Sequence, residues 1–146
     1  MKKTQIKNYS QLTYAISQFS KDPDKKVGSI FLHPKTFQIL STGYNGFPRK
    51  VNETNKRWKK PEKYKWVVHS EQNGIYNATL NGVKLKNSIL FTTKFPCNDC
   101  AKGLIQAGIK QIYTYKPDLK HKTWGESMKI SLKMFKETNI RIHYLD

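Results

Sequence analysis

Little in this sequence would hold it together covalently or anchor it in lipid. Its 146 residues contain only two cysteines, Cys97 and Cys100. Three positions apart, they cannot staple distant parts of the chain, so a disulfide framework is excluded and metal binding or redox chemistry is expected. No apolar run approaches the ~20 residues a membrane-spanning helix needs, so no membrane partner is expected. Two lysines follow Met1, as in a secretory leader, but no apolar stretch comes after them, and export is not expected. Acidic residues are scarce: 10 Asp and Glu stand against 27 Lys and Arg, a formal net charge of +17. That imbalance points to anionic partners, either phosphates or nucleic acid, or to no more than a well-solvated surface. There is no internal repeat and no low-complexity tract.

What is present suffices for one domain, residues 1–146. Hydrophobic residues make up 37% and aromatics 12%, and a chain of this length buries about two thirds of its unfolded surface. Leu12, Ala15, Ile16 and Phe19 recur at helical spacing, predicting a helix over Tyr9–Phe19 that Asp22-Pro23 closes off. Val27–Leu32 and Phe37–Thr42 read as strands joined by a His33-Pro34-Lys35-Thr36 turn. Gly43–Pro48 reads as a loop, and residues 49–65 as a long basic loop or short irregular helix. A helix is expected over His69–Thr79 with its stop at Asn81-Gly82. Ser88–Thr93 follows as a strand. Pro96 then opens a helix that stops at Gly108. Gln111–Tyr115 is a strand, Gly125–Thr138 an amphipathic helix, and Ile140–Leu145 a last strand. Strands separated by helices pair in parallel with helices on both faces. The expected fold class is therefore α/β: three layers, α/β/α, around a five-stranded mixed sheet whose antiparallel pair is the opening hairpin.

Three pieces of sequence carry chemistry. Cys97-x-x-Cys100 puts two thiols on one turn at a helix start, where unpaired N–H groups and the positive helix end favour thiolates. His69, at another helix start, can supply a third ligand. One His and two Cys make a catalytic-type zinc set, with the fourth position open to water. His33, His121 and His143 have no matching spacing. Glu71, two residues from His69, can stand beside such a metal without ligating it. There it would shuttle the proton of a water whose pKa the metal lowers to roughly 7. The plainer alternatives are a thioredoxin-like redox pair for the cysteines and a structural role for a lone histidine.

The two halves, His-x-Glu and Pro-Cys-x-x-Cys, together resemble the signature of the zinc nucleobase deaminases. The resemblance becomes narrower when other segments are added. Ser20-Lys21-Asp22-Pro23-Asp24-Lys25-Lys26-Val27-Gly28 and Ser41-Thr42-Gly43-Tyr44-Asn45-Gly46-Phe47-Pro48 precede the first half. His69-Ser70-Glu71-Gln72-Asn73, Phe95–Lys102 and Ile105–Lys110 complete the set. Spanning residues 20–110, they are similar to the deoxycytidylate (dCMP) deaminase family of the cytidine deaminase-like superfamily. The resemblance implies that superfamily's fold and hydrolytic deamination of dCMP to dUMP with release of ammonia, supplying dUMP for dTMP synthesis. It implies His69, Cys97 and Cys100 as zinc ligands, Glu71 as the proton shuttle and Asn45 as a contact to the nucleotide sugar. It further implies a hexamer activated by dCTP and inhibited by dTTP, with Mg2+ accompanying the triphosphate. Gly43, Tyr44, Asn45 and Gly46 would belong to the allosteric site.

The sequence departs from that family in three places. Ser70 stands where the family usually has alanine, a small change whose hydroxyl is expected to adjust the pocket, and it is carried as a substrate-side residue. Gly74 also replaces an alanine, inside a helix. Residues 47–68 hold no Cys or His for the second, structural zinc of some members, so one zinc per chain is expected. Lys25 and Lys26 are the candidate phosphate contacts. The run Lys56-Arg57-Trp58-Lys59-Lys60, with Lys63, Tyr64 and Lys65, reads as phosphate-attracting or as a solvated loop; read as a stacking and charge patch, it leaves a polynucleotide-editing deaminase as the alternative function. Trp124 and Tyr115 are expected to pack rather than to line the site. The expected location is the cytoplasm, and the lysine-rich composition suits a phage or low-GC bacterial source.

Overall fold

The direction in which the chain crosses its sheet decides which face each helix covers. The computed structural model describes all 146 residues. Its strands are β1 (Gly28–Leu32), β2 (Ile39–Tyr44), β3 (Ile89–Thr92), β4 (Gln111–Thr114) and β5 (Arg141–Tyr144), in the spatial order β2-β1-β3-β4-β5. The helices are α1 (Lys3–Ser17), α2 (Asn55–Trp58), α3 (Ser70–Leu80), α4 (Asn98–Gln106) and α5 (Gly125–Glu137). The crossovers through α3, α4 and α5 all step the same way across the sheet and join parallel strands. Right-handed connections then put all three helices on one face. The core there comprises Phe31, Leu90 and Ile112 from the sheet, with Ala78, Leu104 and Phe135 from the helices. The opposite face carries Ile30, Leu32, Ile89 and Phe91, covered by Ile6, Tyr9, Leu12 and Ile16 of α1. With both faces covered, every residue of β1 and β3 is buried.

The three-layer α/β/α sandwich and five-stranded mixed sheet are as expected, and several boundaries are not. Two pairings are antiparallel rather than one, because β1 lies between β2 and β3 and runs against both. The first helix starts at Lys3, where Gln5 Oε1 accepts from Lys2 N at 3.0 Å, and ends before Phe19, which is exposed. Phe37 belongs to the turn: its φ of 59° is left-handed, and its carbonyl accepts from Tyr9 Oη. Gly43 and Tyr44 continue β2 instead of starting a loop. Pro96 lies outside α4, because Cys97 is the residue that caps it.

The insert between β2 and α3 is closed at its root. Gly46 N donates to Val68 O and Val68 N to Gly46 O, at 3.1 and 2.8 Å. Within it lie α2 and a 3-10 turn over Glu62–Lys65. The Arg57 guanidinium lies 3.7 Å over the Trp66 ring.

Candidate active site

Two helix starts meet at one end of the sheet. α3 is pressed onto β2 so closely that a Cβ on Gly43 would come within 2.1 Å of Ser70 O. Ser29 Oγ fastens the same carbonyl at 2.8 Å. Only glycine at position 43 lets α3 sit at this height, so the structure gives Gly43 a packing role. His69 caps α3 and Cys97 caps α4, and both have extended backbone. Their side chains therefore point forward off the helix ends, toward each other.

His69 Nδ1 lies 3.3 Å from Cys97 Sγ and 3.4 Å from Cys100 Sγ. The three donor atoms all lie within 4.8 Å of one another. A tetrahedral zinc with its usual bonds to sulfur and nitrogen has S–N edges of about 3.5 Å, so the donors fit that ion in kind and spacing. Their protonation fits as well. A hydrogen bond from Cys100 and the neighbouring imidazole bring Cys97 down to about 4. Donation to Cys97, together with burial, pushes Cys100 well up. His69 is raised, chiefly by its hydrogen bond with Cys97. Cys97 is thus the donor closest to its metal-binding form, while Cys100 and His69 must each give up a proton to become ligands.

Glu71 is buried beside this group. Its Oε2 accepts from Ser70 Oγ at 3.0 Å, and Cys100 Sγ lies 3.6 Å from the same oxygen. Thr92 Oγ1 lies 3.4 Å from Oε1. Burial pushes the carboxyl up, while His69 and the Ser70 hydroxyl pull it back. A carboxylate raised in this way is a stronger base toward a neighbouring proton source.

These groups open onto a cavity of about 560 Å³. Asn45 and Lys25 line it as expected, and so do Trp124 and Tyr115, which the sequence reading had as packing residues. Trp124 does both: its ring meets His69 and Tyr64 edge-on, each at 5.8 Å. Lys26 does not line the cavity, and its Nζ reaches Gln18 O at 3.4 Å instead. Ser70 borders it, but its hydroxyl is committed to Glu71. Tyr44 is outside, stacked on Phe19 at 6.0 Å. Gly46 is held in the bridge to Val68.

Sequence reasoning did not single out Lys94, and it named Lys63 only as part of a basic run. Lys94 faces Lys25, and neither is ion-paired, whereas Lys60 and Lys63 pair with Asp24 and Asp22. Burial, and then the nearby Lys25, lower Lys94 to about 8. Lys63 and Asp22 form a buried pair at 2.8 Å. A lysine among 27 basic residues gives no signal of burial. The position of Lys94, between a buried strand and the Pro-Cys-x-x-Cys turn, was the one available clue.

Residues 3–116 match the family described as the cytidine and deoxycytidylate deaminase zinc-binding region. An uncharacterised deaminase from the luxG 3′ region of Aliivibrio fischeri is 30% identical over 140 residues, which cover 95% of this chain and 92% of that protein. A probable deoxycytidylate deaminase of Drosophila melanogaster is 40% identical over 104 residues, covering 64% of this chain and 50% of that protein. The crystal structure of dCMP deaminase from the cyanophage S-TIM5, in complex with dCMP and dUMP, superposes with a TM-score of 0.79 at 26% identity. That match covers 99% of each chain.

Proposed function

This chain belongs to the cytidine and deoxycytidylate deaminase family, and from that premise we propose that it converts dCMP to dUMP. Water adds to C4 of the cytosine ring, the C4–N bond breaks, and ammonia leaves. The observation that carries this reading is the convergence of His69 Nδ1 and two cysteine sulfurs beside a buried Glu71, in one cavity with three unpaired lysines, Lys25, Lys94 and Lys116.

His69, Cys97 and Cys100 are the residues that would hold one zinc ion, whose Lewis acidity makes water a nucleophile at neutral pH. Glu71 takes a proton from the attacking water and delivers it to ring N3, and a second transfer lets the amine depart as ammonia. Ser70 holds one Glu71 oxygen in place during these transfers. Lys25 and Lys94 meet the 5′-phosphate as a pair of ammonium groups. Asn45 serves the sugar. Both Nδ2 hydrogens are engaged, by Asp22 Oδ2 and Lys25 O, and Oδ1 accepts from Val27 N. One Oδ1 lone pair is left for a donor in the ligand, and the only sugar hydroxyl of dCMP is the 3′-OH.

The same reading carries a regulatory half: a cytoplasmic hexamer activated by dCTP and inhibited by dTTP, each with Mg2+. Gly43, Tyr44, Asn45 and Gly46 are proposed to border the effector site. Light scattering tests the assembly. Rates measured with and without the two triphosphates test the regulation.

The deciding experiment compares dCMP, deoxycytidine, dCTP and a cytosine-containing oligonucleotide as substrates of the zinc-loaded protein. The expected order puts dCMP first. Preference for the oligonucleotide would replace this reading with that of a polynucleotide editor, which the net charge of +17 favours.

A further inference from the structure

The basic insert before α3 holds one lysine that is not on the surface. Lys63 is 6% exposed and Asp22, its partner, 3%. The Lys63 Nζ donates to Asp22 Oδ1 at 3.0 Å and to Oδ2 at 2.8 Å, with Asp24 Oδ2 at 3.3 Å. The same Asp22 carboxylate accepts from Asp24 N and Lys25 N through Oδ1, and from Asn45 Nδ2 through Oδ2. The insert, the segment before β1 and the end of β2 therefore converge on one buried carboxylate.

That carboxylate is one of three groups that fix which way the Asn45 amide faces. Val27 N–H demands an acceptor on one side of Asn45, while Asp22 and the Lys25 carbonyl demand donors on the other. Asp22 is held in that position by the cation bonded to both of its oxygens, whose charge offsets the cost of burying the carboxylate. Lys63 is that cation. Without that ammonium the Asp22 carboxylate loses two of its hydrogen bonds and can turn, and the constraint on Asn45 Nδ2 weakens.

We propose that Lys63 is a positioning residue for the nucleotide site, acting through Asp22 to hold the Asn45 Oδ1 toward the ligand sugar. Lys63 touches no reacting atom. It also fastens the insert to the site in a chain whose insert has no Cys or His to bind a metal of its own. The inference rests on the nucleotide-deaminase reading, and the experiment separates the two.

Lys63→Met keeps the length and removes the charge. The zinc-loaded wild type and variant are assayed with dCMP and with 2′,3′-dideoxycytidine monophosphate, which lacks the 3′-hydroxyl. Wild type is expected to prefer dCMP by about tenfold or more in kcat/KM. In Lys63→Met, kcat/KM on dCMP falls by about tenfold, mainly through KM, and the preference for the hydroxyl shrinks toward unity. Lys63→Arg restores most of both. A folded Lys63→Met with unchanged KM and unchanged preference overturns the proposal. If that variant does not fold, Lys63→Gln, which still donates to Asp22 without charge, is read in its place. Should wild type turn over neither nucleotide, the functional reading falls and the inference is read by NMR. The Asn45 side-chain amide resonances shift and broaden in Lys63→Met if it holds, and stay put if it does not.

Discussion

Ser70 Oγ donates to Glu71 Oε2 across 3.0 Å, and both residues are buried. A donor favours the charged carboxylate, so this bond works against the burial that pushes Glu71 up. In Ser70→Ala the carboxyl rises further. A base must be deprotonated to act, so the acid limb of kcat/KM against pH moves to higher pH. A pH–rate profile measures this, and an unmoved acid limb would show that the hydroxyl does not serve Glu71.

Glu71→Gln keeps the shape and removes the proton acceptor. Turnover is expected to drop by about 10²–10⁴-fold, with zinc content by elemental analysis unchanged. Near-normal turnover in a zinc-loaded variant would take the proton shuttle away from Glu71.

Lys94, held at about 8 by burial and by Lys25, sheds its charge as pH rises through that value. A phosphate then loses one of two ammonium partners, so KM for dCMP climbs above about pH 8 while KM for deoxycytidine stays level. Lys94→Met is expected to raise KM for dCMP about tenfold at pH 7 and to flatten its climb. Parallel pH dependence for the two substrates would remove Lys94 from phosphate binding.

A Cβ at Gly74 would come within 2.2 Å of the Phe31 ring, which is fully buried. Alanine is the better helix former by about 1 kcal/mol, yet Gly74→Ala is expected to destabilise by about 1–3 kcal/mol through overpacking. Phe31→Leu in the same chain should recover part of the loss. Urea unfolding of the three proteins decides it, and a Gly74→Ala protein as stable as wild type would refute the clash.

Chelation of the metal should abolish turnover and lower Tm, because a ligand that binds only the folded chain stabilises it. Added Zn2+ should restore both. Thermal scans with and without a chelator make the measurement, and a treated, zinc-free protein with full activity would overturn the ligand assignment.

Much of this was legible in the sequence, for identifiable reasons. His69, Glu71, Cys97 and Cys100 stand out because two caps and two short spacings fix their positions within single turns. The helices and strands were recovered because each has its own apolar period. The placement of β1 between β2 and β3 was not, since pairing order depends on contacts distant in sequence. The burial of Lys63 and the site position of Lys94 were hidden for a different reason. One-letter patterning treats a lysine as surface, and only the fold reveals an Asp22 waiting for one and a Lys25 facing the other. Trp124 was read as packing because its ring does pack, and the structure adds that it packs on a histidine at the cavity wall.

The paired hydrogen bonds between Gly46 and Val68 turn residues 47–67 into a handle fixed at both ends. A handle can be shortened, lengthened or exchanged without dragging its anchor points. His69 follows one anchor directly, so grafted inserts should leave the metal-binding residues where they are. The graft has two chemical duties: to bring an ammonium to Asp22 and an aromatic edge to Trp124.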